Sequence, residues 1–131
     1  MDKLEQDVLN TFNTFWQLWA KRSKGEATIN ELVTYFEPEI SSIGTGEHEI
    51  GKDIDTVIEN FSFDLKELQN PFVLDVFYEK AKKLSPTSGV VEAEAYALIE
   101  IGDGESLKLH LRFSTVFVLK NNKWLIKHNH V

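Results

Sequence analysis

Cysteine is absent from the 131 residues. That removes disulfides and thiolate nucleophiles, and it says nothing about the redox compartment. No apolar run reaches about 18 residues and no signal-peptide pattern is present, so we expect a soluble, cytoplasmic protein without a targeting segment. Positive charge is scarce: 14 Lys and Arg stand against 21 Asp and Glu, a net charge of -7. This argues against a nucleic-acid backbone or an anionic membrane as partner. Internal repeats, low-complexity segments and linkers are also missing. Hydrophobic residues make up 42%, enough for an ordinary core, and the length suits one domain over residues 1–131.

The most informative stretch runs from Leu107 to Val131. Leu107, Leu109, Leu111, Phe113, Thr115, Phe117 and Leu119 alternate with Lys108, His110, Arg112, Ser114, Val116 and Val118. Period-two alternation places the two sets on opposite faces of a strand. Asn121-Asn122 suits a two-residue hairpin turn, because Asn tolerates positive φ. Regular pairing from that turn sets Leu119 opposite Trp124, Phe117 opposite Ile126, Thr115 opposite His128 and Phe113 opposite His130. The two imidazoles would then share a face with Thr115.

Upstream, Asp2 to Ser23 reads as a helix with an apolar stripe of Leu4, Val8, Phe12, Phe15, Trp16 and Trp19. Asp2 with Glu5 resembles a capping box, and Gly25 suits the C-terminal cap. A short second helix is expected from Thr28, also capped, burying Ile29, Leu32, Val33 and Phe36 and stopped by Pro38. Glu39 to Gly44 reads as a strand, and the segment containing Glu47, His48 and Glu49 as a solvated loop. Asp53 to Leu68 is a third helix with Asp53 as its N-cap. Strands follow from Pro71 and from Val90 to Ile101. Gly102-Asp103-Gly104 turns the chain into the terminal hairpin. Helices first and an antiparallel sheet late give an α+β layout.

This order resembles the NTF2-like, or SnoaL-like, fold. The resemblance rests on the closing Phe113–Leu119 segment, then Lys123-Trp124 and the alternating His128 and His130. It also rests on Trp19 before Ala20-Lys21-Arg22, Gly44-Thr45-Gly46, and Gly51 before the third helix. It implies three N-terminal helices packed on a strongly curved, mainly antiparallel sheet, a cone with a pocket beneath the helices. It also implies a homodimer through the outer sheet face. The fold hosts isomerases, dehydratases, cyclases, ligand-binding modules and oligomerisation domains, so function must be argued from the site.

His128 and His130 are candidate polar contacts or general acid/base groups, since imidazole titrates near neutrality. The alternative is two polar residues at the open end of a sheet. A metal would need a third ligand that the sequence does not place, so neither a metal nor a cofactor is expected. Glu94 is a third catalytic candidate if its row faces the pocket. The competing register turns Ala93, Ala95 and Ala97 inward, which avoids burying carboxylates and is the reading we favour. Trp16, Tyr35, Phe61, Phe113 and Trp124 are candidate pocket walls, with core packing as the alternative for each. Three functions remain open. One is a small-molecule-binding domain with Trp16, Tyr35, Thr115, His128 and His130 as polar contacts, taking an apolar or amphipathic ligand. The second is a cofactor-independent isomerase, dehydratase or cyclase. The third is an assembly module with a filled core.

Overall fold

In the computed structural model, which describes residues 1–22, 26–47 and 49–131, the chain opens with helix α1 (Lys3–Lys21). Asp2 accepts a hydrogen bond from the Glu5 N–H and Glu5 returns one to Asp2, so the expected capping box forms. The left-handed cap at the other end is Arg22, with φ 45°. The expected role of Gly25 and the expected loop position of His48 lie outside the described residues. Helix α2 (Glu26–Val33) begins before Thr28, which is buried inside it, so Thr28 is no cap. Phe36 is not helical either: it opens strand β1 (Phe36–Ile43), which contains Pro38. The ladder to the neighbouring strand is interrupted between Phe36 and Ser41, where a missing N–H costs no ladder bond.

A two-residue strand, β2 (Ile50–Gly51), precedes helix α3 (Ile54–Glu67), which Asp53 caps as expected. The third helix follows β1, the strand expected before it, and the short β2, so only two of the three helices precede every strand. The remaining strands are β3 (Val73–Ser85), β4 (Ser88–Gly102), β5 (Glu105–Lys120) and β6 (Lys123–His130). They form one curved sheet in the order β2-β1-β6-β5-β4-β3, antiparallel except for the β1–β6 pair. The β4–β5 turn is Asp103-Gly104, both at positive φ, as a tight hairpin requires. Ala93, Ala95 and Ala97 are buried on the helix side, the arrangement we favoured. Glu94 faces out, its carboxylate 2.8 Å from His110 Nε2 and accepting from that nitrogen when the ring carries its proton there. It is therefore withdrawn as a pocket carboxylate.

The terminal hairpin departs from regular alternation at one residue. Lys120–Lys123, Leu119–Trp124 and Phe117–Ile126 pair as expected, but Val116 then pairs with His128 and Thr115 with Asn129. Lys127 is the extra residue of a β-bulge, and it shifts everything after it to the opposite face. β1 breaks register at the same level, pairing Phe36 with Ile126 and Ser41 with His128. Charged contacts accompany the bulge. Lys127 donates to Glu37 at 3.3 Å and to Glu39 at 3.0 Å, both on β1. Glu37 is only 1% exposed and also accepts from Lys120 at 2.5 Å and from the Glu39 N–H at 2.7 Å. Burial pushes the Glu37 carboxyl up, but Lys120, the Glu39 N–H and Lys127 outweigh it and hold it below the usual carboxylate range.

Candidate functional site

A cavity of about 150 Å³ opens between the C-terminal half of α1, α3 and the sheet. From α1 come Trp16, Trp19 and Arg22, at the three-residue spacing that aligns side chains on one helical face. From α3 come Asn60, Phe61, Asp64 and Leu68. The floor is apolar: Ala97 and Ile99 of β4 and Leu109 and Leu111 of β5. Asn129 and Val131 close one side, and Ser42, Gly44, Thr45 and Glu49 stand at the β1–β2 end. Gly44 and Gly46 leave room for the Glu49 side chain, which a Cβ at either position would overlap.

Arg22 is the electrostatic anchor. Its guanidinium donates to Asp64 Oδ2 at 2.6 Å, to the Asp64 carbonyl at 3.0 Å and to the Leu68 carbonyl at 2.7 Å. It also lies 5.1 Å from the Trp19 ring centroid and 4.9 Å from that of Phe72, within cation–π range. Trp19 Nε1 donates to the same Asp64 oxygen at 2.9 Å. Left-handed backbone at a non-glycine residue costs about 1–2 kcal/mol. The three guanidinium bonds at the end of α3 offset that strain and tie the two helices together. Three nitrogens on cavity-lining residues are buried without a partner among the described residues: Trp16 Nε1, Arg22 Nε and Asn60 Nδ2.

The bulge decides what β6 contributes. Asn129 faces inward, 4% exposed, with its Oδ1 accepting from Thr115 Oγ1 at 2.9 Å. His128 instead lies on the outer face, its Nδ1 2.9 Å from Ser41 Oγ, and His130 is exposed. Neither imidazole lines the cavity, which corrects the expected pocket-facing direction of His128 and His130; Asn129 lines it instead. Trp16 and Phe61 do line it. Phe113 and Thr115 lie below it in the core, Phe113 against Trp16 at 4.8 Å between ring centroids. Tyr35 packs on Phe15, and Trp124 sits by the hairpin turn, both away from the cavity. Among the described residues, no three His, Asp or Glu side chains are grouped to hold a metal ion. No helix of the described residues is long and apolar enough to cross a membrane.

The SnoaL-like domain matches residues 9–131. The chain belongs to the SnoaL-like family. Solved structures with this SnoaL-like fold include the association domain of CaMKII from C. elegans, at TM-score 0.74 and 13% identity, covering 97% of this chain and 93% of that one. An NTF2-like protein of unknown function from Pseudomonas putida KT2440 matches at TM-score 0.74 and 11% identity, over 95% and 85% of the two chains. A ketosteroid isomerase-like protein from Erwinia carotovora atroseptica SCRI1043 matches at TM-score 0.74 and 9% identity, over 99% and 95%. Comparison with curated proteins by sequence finds no match. At these identities the likeness concerns the fold alone.

Arg22, Asn60, Asp64 and Asn129 went unnoticed in the sequence. A signal for three of them exists. Asn60 and Asp64 are four residues apart beside the apolar stripe of α3, and Arg22 follows Trp19 by three. Polar residues on the flank of an apolar stripe mark the rim of whatever the stripe covers. Asn129 carried no such signal, because its direction depends on the bulge.

Proposed function

We propose that residues 1–131 form one SnoaL-like domain that binds a small molecule in the cavity between α1, α3 and the sheet. The observation that carries this reading is the cavity itself, walled by Trp16, Trp19 and Phe61, floored by Ala97, Ile99, Leu109 and Leu111, with Asn60, Asp64 and Asn129 at its sides. A concave, mostly apolar site with a few polar groups is the form that small-molecule sites take. The volume is half the roughly 300 Å³ at which drug-sized sites begin, and equals the roughly 150 Å³ that accepts a single aromatic ring. The ligand is therefore compact, or extends out of the mouth. Trp16 and Phe61 are its aromatic walls.

An enzyme of the isomerase, dehydratase or cyclase type has less support. His128, His130 and Glu94 lie on the other face, and Asp64 is already engaged by Arg22 and Trp19. Assembly through the outer sheet face is a second reading with its own observation. Phe77, Tyr96 and His110 form an exposed stack there, Phe77 and Tyr96 at 4.8 Å, with exposed Leu98 beside them. Two structural neighbours are named as association domains. This face and the cavity are on opposite sides of the sheet, so a homodimer and a bound ligand are compatible.

A thermal-shift screen of one-ring and short-chain compounds, followed by tryptophan fluorescence titration, tests binding. Trp16 and Trp19 line the cavity, so an occupant changes their emission. A screen with no shift and no change in emission would refute the binding role. A concentration-independent monomer in sedimentation would refute the assembly reading.

A further inference from the structure

The bulge at Lys127 turns two imidazoles to the outer face of the sheet, where they stand side by side. His128 pairs with Val116 of β5 and Ser41 of β1, and His130 pairs with Ser114 and Ile43. Two residues apart on one strand, the histidines share a face, with Cα atoms about 7 Å apart. Ser41, Ser114 and Val116 are short and leave the rings uncovered: His130 is exposed and His128 half-buried. Local charge is balanced. Lys127 is held by Glu37 and Glu39, and Arg112 stands opposite Glu94. The net charge of -7 favours the approach of a cation.

One of the two rings is already oriented. His128 Nδ1 lies 2.9 Å from Ser41 Oγ. With the proton on Nδ1 and the hydroxyl accepting it, the lone pair is left on Nε2. A hydrogen bond of this kind, fixing tautomer and direction, accompanies metal-ligating histidines. We propose that His128 Nε2 and one ring nitrogen of His130 chelate a divalent transition-metal ion on the outer sheet face. Metal–imidazole bonds of about 2.0–2.1 Å set the two nitrogens roughly 3 Å apart. The exposed His130 ring swings to close the chelate on the fixed His128. Among the described residues no third His, Asp or Glu joins them, so water fills the remaining positions and the ion exchanges. Two imidazoles select Cu²⁺ over Ni²⁺ and Zn²⁺, and they do not suit Ca²⁺ or Mg²⁺, which take oxygen ligands. The site is independent of the cavity, which lies on the other side of the sheet, and of the stack of Phe77, Tyr96 and His110 on β3–β5.

The test is calorimetric titration of the untagged chain at neutral pH with Cu²⁺, Ni²⁺, Zn²⁺ and Mg²⁺ salts. One Cu²⁺ per chain should bind most tightly and Mg²⁺ not at all. Electron paramagnetic resonance of the Cu²⁺ form should show two nitrogen ligands. His128→Ala and His130→Ala should each weaken Cu²⁺ binding about a hundredfold. Ser41→Ala, which removes only the orienting bond, should weaken it about tenfold, and Ser41→Thr should restore it. His110→Ala, on the same face within the aromatic stack, should leave it unchanged. No Cu²⁺ binding, binding that survives the loss of both His128 and His130, or binding lost with His110→Ala would each overturn the proposal.

Discussion

Replacing Lys120 and Lys127 by Met strands the Glu37 carboxylate, and the size of the penalty can be worked out. Glu37 is 1% exposed, and the two ammonium groups lie 2.5 and 3.3 Å from its oxygens. Breaking a fully buried ion pair from one side costs about 3–5 kcal/mol, and the half-exposed Lys120 and Lys127 side chains bring this cluster below that range. The stranded carboxylate has an escape, which is to take up a proton. From an unfolded value of about 4.3, protonation at neutral pH costs about 3.7 kcal/mol, so the penalty of the stranded carboxyl itself does not exceed this. The double variant should therefore lose about 2–3 kcal/mol in urea denaturation near neutrality. In the native protein the Glu37 carboxyl is held low, so its contribution is present above the unfolded value and is lost as pH falls through the folded value. In the variant the same carboxyl is pushed high, so its penalty fades as pH falls. Both effects narrow the gap between the two proteins on acidification. Adding Glu37→Leu to the variant should recover most of the loss, because an apolar replacement of a whole ionic cluster is often near neutral. A gap below about 1 kcal/mol, or one unchanged by acidification, would refute the assignment of Glu37 as a buried charge held by two lysines.

Three further outcomes are expected. Thr115→Val leaves the buried Asn129 Oδ1 without its donor and should cost about 1–3 kcal/mol by chemical denaturation. Gly51→Ala places a Cβ 2.6 Å from Val57 Cγ2 and 3.2 Å from its Cα, so it should cost about 1–3 kcal/mol and lower the thermal midpoint. Asn122→Gly relieves a residue at φ 61° in the β5–β6 turn and should stabilise by about 0.5 kcal/mol, measured in the same way.

Much of the fold was legible because it depends on local pattern. The α1 stripe, the Asp2 and Asp53 caps, the Asn121-Asn122 turn and the inward alanine row each follow from residues within one element. Arg22 was different. At the end of an amphipathic helix it looks like an ordinary basic C-terminus, and only its contacts with Asp64 and Leu68, more than 40 residues on, make it a cavity wall. Thr28 followed by Glu31 mimics a capping box inside a helix that had already begun. The bulge at Lys127 could not be read locally, since alternation from Lys123 to His130 shows no break. Its extra residue contacts a pair of glutamates on β1, about 90 residues earlier, which no local pattern reveals. A terminal His-Asn-His therefore pointed the wrong residues at the pocket.

The bulge at Lys127 also means that the cavity-facing side of the last strand carries the amide of Asn129 and not the imidazoles on either side of it. A relative of the same length that pairs without the bulge would present imidazoles to its cavity where this chain presents an amide. Matching residues column by column among such relatives would then equate side chains on opposite sides of the sheet.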